Sequence, residues 1–174
     1  MYAVKLAIGV MLAMVTITGP AALAQSAKAD LKGPDGKAFG TVTLREMPAG
    51  GVLLRLDASG LPPGEHGFHI HETGKCTPDF SAAGDHFAPR GHKHGTGEKG
   101  GPHAGDMPNI HVPASGSIVV EFFVPGVTLA KGEAGSLFDD DGSAIVVHAK
   151  PDDYKSQPSG DAGGRIGCGV IAAG

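Results

Sequence analysis

Residues 41–56 read Thr41-Val42-Thr43-Leu44-Arg45-Glu46-Met47-Pro48-Ala49-Gly50-Gly51-Val52-Leu53-Leu54-Arg55-Leu56. Two runs rich in β-branched and apolar residues flank Pro48-Ala49-Gly50-Gly51, a turn signal, so the stretch reads as a hairpin. Working outward, comparable runs occupy Ala38–Met47, Gly51–Ser59, Glu65–Glu72, Ser117–Val124, Ser143–Ala149 and Arg165–Ile171. Ala27–Lys32 is a weaker first strand, ended by Gly33-Pro34-Asp35-Gly36. Several short strands separated by turn signals predict an all-β antiparallel sandwich or barrel. Two stretches read as loops instead: Thr73 to about Gly116, rich in Gly, His, Pro and Asp, and the polar Lys150–Gly164. Loops this long inside a compact domain are usually functional or disordered.

Composition narrows the function. The chain has 174 residues, of which 29 are Gly and 13 Pro, too many breakers for a helical bundle. Hydrophobic residues make up 41% and charged residues 18%, enough for a packed core and unlike a disordered acidic chain. Trp is absent, aromatics are 5% and the net charge is −4, which argues against a nucleic-acid partner. Residues 1–24 read as a cleaved signal peptide. Lys5 supplies the charge, Leu6–Thr18 the apolar run, Gly19-Pro20 the break and Ala22-Leu23-Ala24 the cleavage site. Residues 25–174 then form one domain, with no membrane association after cleavage, in a periplasmic or otherwise exported protein. Cys76 and Cys168 are the only cysteines, and in an exported chain such a pair is expected to oxidise.

The histidines carry the chemistry. Nine occur, all between positions 66 and 148, and seven fall within 38 residues: His66, His69, His71, His86, His92, His94 and His103. Such clustering points to metal, with a surface histidine tract as the bland alternative. In His69-Ile70-His71, residues two apart on a strand share a face, so both imidazoles can reach one ion. His148 offers a third ligand from another strand. The loop adds His86, His94 and His103, then Asp106. Three histidines and a carboxylate would close a tetrahedral zinc site, although Asp106 reads equally well as a turn residue. Imidazole-rich sets suit zinc and copper rather than calcium or magnesium.

His66-Gly67-Phe68-His69-Ile70-His71-Glu72 resembles the copper-binding strand of copper/zinc superoxide dismutases. Gly163-Gly164-Arg165-Ile166-Gly167-Cys168-Gly169-Val170-Ile171 resembles that family's C-terminal segment. Between them, Gly84-Asp85-His86-Phe87, Lys93-His94-Gly95, His103-Ala104-Gly105-Asp106 and Val146-Val147-His148 follow the family's order. The resemblance spans essentially the whole mature chain. The signal peptide and Cys76-Thr77-Pro78 look like the bacterial exported branch.

The resemblance implies a Greek-key antiparallel β-sandwich or flattened barrel of about eight strands, with a long metal-binding loop and a second polar loop. It implies one copper held by His69, His71, His86 and His148, and one zinc held by His86, His94, His103 and Asp106. His86 then bridges the ions as an imidazolate. Asp152 is implied to hydrogen-bond one copper histidine and zinc ligand His94, and Cys168 to be the second half-cystine. His66 matches a structural histidine. The implied reaction converts superoxide to oxygen and hydrogen peroxide by alternate reduction and oxidation of copper. Arg165 receives the anion, and His86 supplies a proton. Lys75, Lys93, Lys99 and Lys155 are candidate steering charges as well as ordinary surface lysines. The bacterial branch contains monomers and dimers, so a homodimer is compatible. His92 and His111 fall outside the implied sets, and Pro78-Asp79-Phe80-Ser81 has no assigned chemistry.

Three other readings compete. A copper-carrying, non-catalytic member would lack a copper ligand or the arginine, and none is missing. A zinc hydrolase would use Glu72 as general base, but no HExxH-type motif occurs. A structural sandwich leaves the ordered two-metal set unexplained.

Overall fold

The structure is a computed structural model that describes residues 25–174, so the segment read as a signal peptide lies outside the described residues. Strands β1 (Ser26–Lys32), β2 (Ala38–Glu46), β3 (Val52–Ala58), β4 (Gly64–His71), β5 (Asp106–Val112), β6 (Ile118–Val124), β7 (Ala144–His148), β8 (Arg165–Val170) and β9 (Ala172–Ala173) follow in order. Among the described residues one 3₁₀ turn occurs, at Phe80–Ala83. The sheet runs β5-β4-β7-β8-β1-β2-β3-β6, and β9 adds to β1. Every strand pair is antiparallel. The end strands β5 and β6 touch without a ladder, leaving a nearly closed Greek-key barrel. Among the described residues no helix is long and apolar enough to cross a membrane.

Alternation builds the core. On β1, Ala27, Ala29 and Leu31 are buried between exposed Ser26, Lys28, Asp30 and Lys32. On β3, Val52, Leu54, Leu56 and Ala58 point the same way. The predicted hairpin forms at Met47–Gly51, where the Met47 N–H donates to the Gly51 carbonyl at 2.9 Å. Burial of such faces contributes roughly 25 cal/mol per Å² of apolar surface.

β7 departs from this pattern, because all five of its residues are buried. Ile145 and Val147 face the barrel core. Ala144 and Val146 lie in a second cluster with Ala83 and Cys168, packed by Cys76 and Phe80. The second cluster exists because Cys76–Ala83 of the first long loop folds onto the outer face of β7 and β8. The Cys76–Cys168 disulfide, with a Cα–Cα distance of 5.9 Å, fastens that segment there. A crosslink enclosing a loop this long is worth roughly 4–5 kcal/mol in the chain-entropy account.

One expectation needs correction. The stretch from Thr73 to Gly116 is not all loop: Asp106–Val112 is β5, paired with β4 through His69↔Asp106 and Phe68↔Met107. Gly105, Asp106 and Pro108 gave it the look of a turn. It is an end strand, where proline costs no ladder bond, and its register shifts opposite His66/Phe68.

Candidate metal centre

The site sits on the outer face of β4 and β7. His69 and His71 leave β4 on that side, and His148 ends β7. Gly67, on the same face of β4, leaves room: a Cβ there would lie 3.1 Å from the His69 ring and 3.4 Å from His148 Cβ. His86 arrives on a return segment that pairs back on the end of β4. Glu72 N–H donates to the Asp85 carbonyl at 2.9 Å, Thr73 N–H to the Ala83 carbonyl at 3.0 Å, and Phe87 N–H to the Ile70 carbonyl at 2.9 Å. Buried Phe87 anchors that segment in the core. Gly105 completes the crossing, since a Cβ there would overlap the Ile70 carbonyl.

Two groups of donors result. His69, His71, His86 and His148 offer ligand atoms within 4.8 Å of one another, and so do His86, His94, His103 and Asp106. His86 belongs to both.

Hydrogen-bond partners assign the ring nitrogens. His71 Nδ1 donates to the Gly84 carbonyl at 2.9 Å, which leaves Nε2 bare. His148 Nδ1 donates to the Gly163 carbonyl at 3.3 Å, again leaving Nε2 bare. His69 Nε2 donates to Asp152 Oδ2 at 2.9 Å, and its Nδ1 is buried without a hydrogen-bond partner. His86 turns Nδ1 toward Asp106 Oδ1 at 2.7 Å and leaves Nε2 buried without a partner. One nitrogen from each of four rings therefore presents a lone pair to the first group.

Asp106 gathers the second group. Its Oδ1 faces Nδ1 of His86 at 2.7 Å and Nδ1 of His103 at 3.2 Å. Its Oδ2 accepts from the N–H groups of Gly95 at 2.9 Å and His103 at 3.0 Å. His94 Nδ1 lies 3.1 Å from Asp106 Oδ2, yet it has no aligned hydrogen bond. Buried polar atoms are nearly always paired, so orphaned nitrogens on His69, His86 and His94 mark places where a cation belongs. Imidazole nitrogens with one carboxylate fit zinc or copper.

Electrostatics agree. Burial lowers His71 well below the ordinary histidine value, and the neighbouring His86 lowers it further. Burial and His69 bring His148 down to about 3. Burial brings His86 down to about 4 against the opposing effect of its bond to Asp106. These rings are neutral at pH 7, as metal ligation requires. Burial would raise Asp106, but the bonds from His103 and His86 and the close His94 ring hold it well below the carboxylate range. Burial would lower His94, but the adjacent carboxylates of Asp106 and Asp152 raise it to about 9.

Asp152 joins the groups. Its Oδ2 accepts from His69 and its Oδ1 from His94 Nε2, each at 2.9 Å. Arg165 is half-buried at the edge of the site, donating Nη1 to the Phe80 carbonyl and Nη2 to the Gly84 carbonyl, each at 2.6 Å. Gly84 O therefore serves both Arg165 and His71. Phe80 lies in the stretch to which the sequence assigned no chemistry. Its carbonyl anchors the arginine, a backbone role that its side chain does not announce.

The leftover residues stay outside both groups. His66 lies between the carbonyls of His148 at 2.8 Å and Pro62 at 2.9 Å. His92 is exposed, with Nδ1 3.1 Å from the Pro102 carbonyl, and exposed His111 pairs with Glu65 at 3.3 Å. Lys75, Lys93, Lys99 and Lys155 are exposed. A groove of about 900 Å³ reaches the edge of the site at Phe80, Gly163 and Arg165, and its lysines are Lys28 and Lys32.

The sequence profile of the copper/zinc superoxide dismutase family (SODC) matches residues 38–171. Superoxide dismutase [Cu-Zn] 2 of Aquifex aeolicus (strain VF5) is 52% identical over 147 residues, covering 83% of this chain and 85% of that protein. Superoxide dismutase [Cu-Zn] of Caulobacter vibrioides is 49% identical over 150 residues, covering 84% and 85%. Among solved structures, a SOD-like protein from Bacillus subtilis superposes with a TM-score of 0.79 at 40% identity, over 82% of this chain and 96% of that one.

Proposed function

The chain belongs to the copper/zinc superoxide dismutase family, and from that premise we propose how its residues divide the work. It is an oxidoreductase that converts superoxide to oxygen and hydrogen peroxide, with copper and zinc as cofactors. When bound, copper supplies a one-electron redox couple, while zinc supplies a fixed charge with no redox chemistry.

In this division His69 Nδ1, His71 Nε2, His86 Nε2 and His148 Nε2 would hold copper. His94, His103, Asp106 and His86 Nδ1 would hold zinc. The observation that carries it is His86, with one ring nitrogen on Asp106 and the other buried and unpartnered between three bare imidazoles. His86 holds a proton at Nε2 in one half of the cycle and gives it to the reduced substrate in the other. The Nδ1 that faces Asp106 would pass from that bond to zinc, with Asp106 as a fellow ligand, while buried Phe87 next to it anchors the segment. Asp152 fixes the tautomers of His69 and His94.

Arg165 binds the substrate anion. Its guanidinium keeps its charge at any relevant pH, and two of its N–H donors are already fixed by carbonyls, so the fork is pre-oriented. The mature chain carries a net charge of about −5, from −4 for the whole chain less Lys5. A local positive field nevertheless draws an anion, because steering follows local potential.

Export completes the proposal: residues 1–24 are the signal peptide, residues 25–174 are the single working domain, and the periplasm is the compartment. The disulfide supports an oxidising location. A homodimer is the remaining expectation from the resemblance, and sedimentation velocity on the metal-loaded chain reads it directly.

Anomalous scattering at the copper and zinc edges, from crystals of the loaded protein, tests the division. One ion of each kind on opposite sides of His86 is expected. Both ions on one side, or His86 bound to neither, would contradict it.

A further inference from the structure

At the centre of the site the two long loops are joined by the side-chain bond from His94 Nε2 to Asp152 Oδ1 at 2.9 Å, with the Gly97 N–H donating to the Tyr154 carbonyl at 3.0 Å further out. On each side of that bond, a side-chain amide from across it grips the backbone, Gln157 from the loop 150–164 and Asn109 from β5. Gln157 Oε1 accepts from the His94 N–H at 3.1 Å, and Gln157 Nε2 donates to the His94 carbonyl at 2.9 Å. Asn109 Oδ1 accepts from the Asp152 N–H at 2.8 Å, and Asn109 Nδ2 donates to the Asp152 carbonyl at 2.9 Å. Each amide exchanges a donor and an acceptor with a single residue, as ladder neighbours do in a sheet. The orientation is unambiguous, because a flipped amide would set donor against donor and acceptor against acceptor.

The grips are crossed. Gln157 belongs to the loop 150–164 and holds His94 of the first loop, while Asn109 follows the first loop and holds Asp152 of the second. Tyr154 ties them together, its hydroxyl accepting from the Asn109 N–H at 2.9 Å and its N–H donating to Asp152 Oδ1 at 2.6 Å.

The segment that needs holding is plain from its composition. Gly91–Gly101 contains five glycines around His94 and no helix or strand. A segment of this kind sits at the low end of local stability unless something ties it down.

We propose that Gln157 and Asn109 are positioning residues for the zinc group, forming a crossed amide clasp that keeps His94 aimed at the ion and joined to Asp152. The clasp slows zinc release and couples the two metal groups through Asp152. It rests on the reading of His86, His94, His103 and Asp106 as the zinc ligands.

Gln157 gives the decisive variant, because it is exposed while Asn109 is buried. Gln157→Met keeps the length of the side chain and removes both bonds to His94. The measurement is zinc release from the fully loaded protein into excess chelator, with the visible band of cobalt(II) bound in place of zinc as a spectroscopic readout. Losing an outer-shell partner costs about 10–100-fold in metal affinity, so release about tenfold faster and an altered cobalt band are expected. Lys155→Ala, an exposed change on the same loop, is expected to release zinc at the parent rate. Parent-like release and an unchanged cobalt band in Gln157→Met would overturn the clasp alone. So would equal acceleration in Lys155→Ala, which would assign the effect to the loop at large. A parent chain that takes up no zinc would overturn the ligand reading and the clasp together.

Discussion

His71 and His148 face each other through bare ring nitrogens, Nε2 to Nε2 at 3.3 Å, with their other nitrogens committed to the carbonyls of Gly84 and Gly163. Two buried lone pairs at that distance repel, and a cation between them removes the repulsion. His148→Ala or His71→Ala should therefore weaken copper binding by more than about a hundredfold, beyond the range for outer-shell losses, while one zinc per chain stays. Metal analysis after dialysis against a copper chelator reads both quantities. Loss of zinc in parallel would show that the two groups are not separable in this way.

Gly160 lies against the bond between the two loops. It has φ +68°, and a Cβ there would overlap Asp152 Oδ1 and sit 2.6 Å from His94 Nε2. Gly160→Ala is expected to break the His94–Asp152 bond and destabilise the zinc-loaded protein by about 2–3 kcal/mol. Calorimetric melting of the loaded variant checks this, and a melt within one degree of the parent would count against it.

Zinc binding should depend on pH through His94. The carboxylates of Asp106 and Asp152 beside it outweigh burial and raise it to about 9. With no ion bound, the protonated ring stabilises the fold fully below about pH 6.5, and that contribution is lost as pH rises through about 9. Zinc must displace the proton, so its affinity should climb by up to about tenfold per unit between pH 7 and 9. Competition titrations across that range should show the rise, and a flat affinity would be the contrary result.

The arginine depends on the disulfide. Cys76 opens the segment whose Phe80 and Gly84 carbonyls fix Arg165, and the bridge pins that segment to β8. Reduction should speed metal release and lower the superoxide rate severalfold while the sheet persists. Chelator chase and far-ultraviolet circular dichroism on one sample separate these effects. Simultaneous loss of sheet signal and metal would show that the bridge holds the whole fold instead.

Sequence made the strands legible where alternation was clean, as in Val52-Leu53-Leu54-Arg55-Leu56, and it placed His69 and His71 on one face. β5 stayed hidden, because Gly105, Asp106 and Pro108 look like a turn until β4 is known to lie beside them. Asp106 joined both readings: it opens a strand and gathers three imidazoles. The anchoring of Arg165 was illegible, since carbonyl positions at Phe80 and Gly84 follow from how the loop packs. Gln157 carried no signal either. Its role depends on His94, 63 positions away in sequence.

The most direct test of the account is the superoxide decay rate per bound copper, in the copper- and zinc-loaded mature protein and in Arg165→Ala, at low and high ionic strength. Superoxide dismutase is among the enzymes that mark the diffusional ceiling, on the order of 10⁸–10⁹ M⁻¹s⁻¹. The account predicts a parent rate in that range that falls with salt, and a severalfold or greater drop with a flattened salt dependence in the variant. A negligible parent rate with copper bound, or a variant as fast as the parent at low ionic strength, would contradict it.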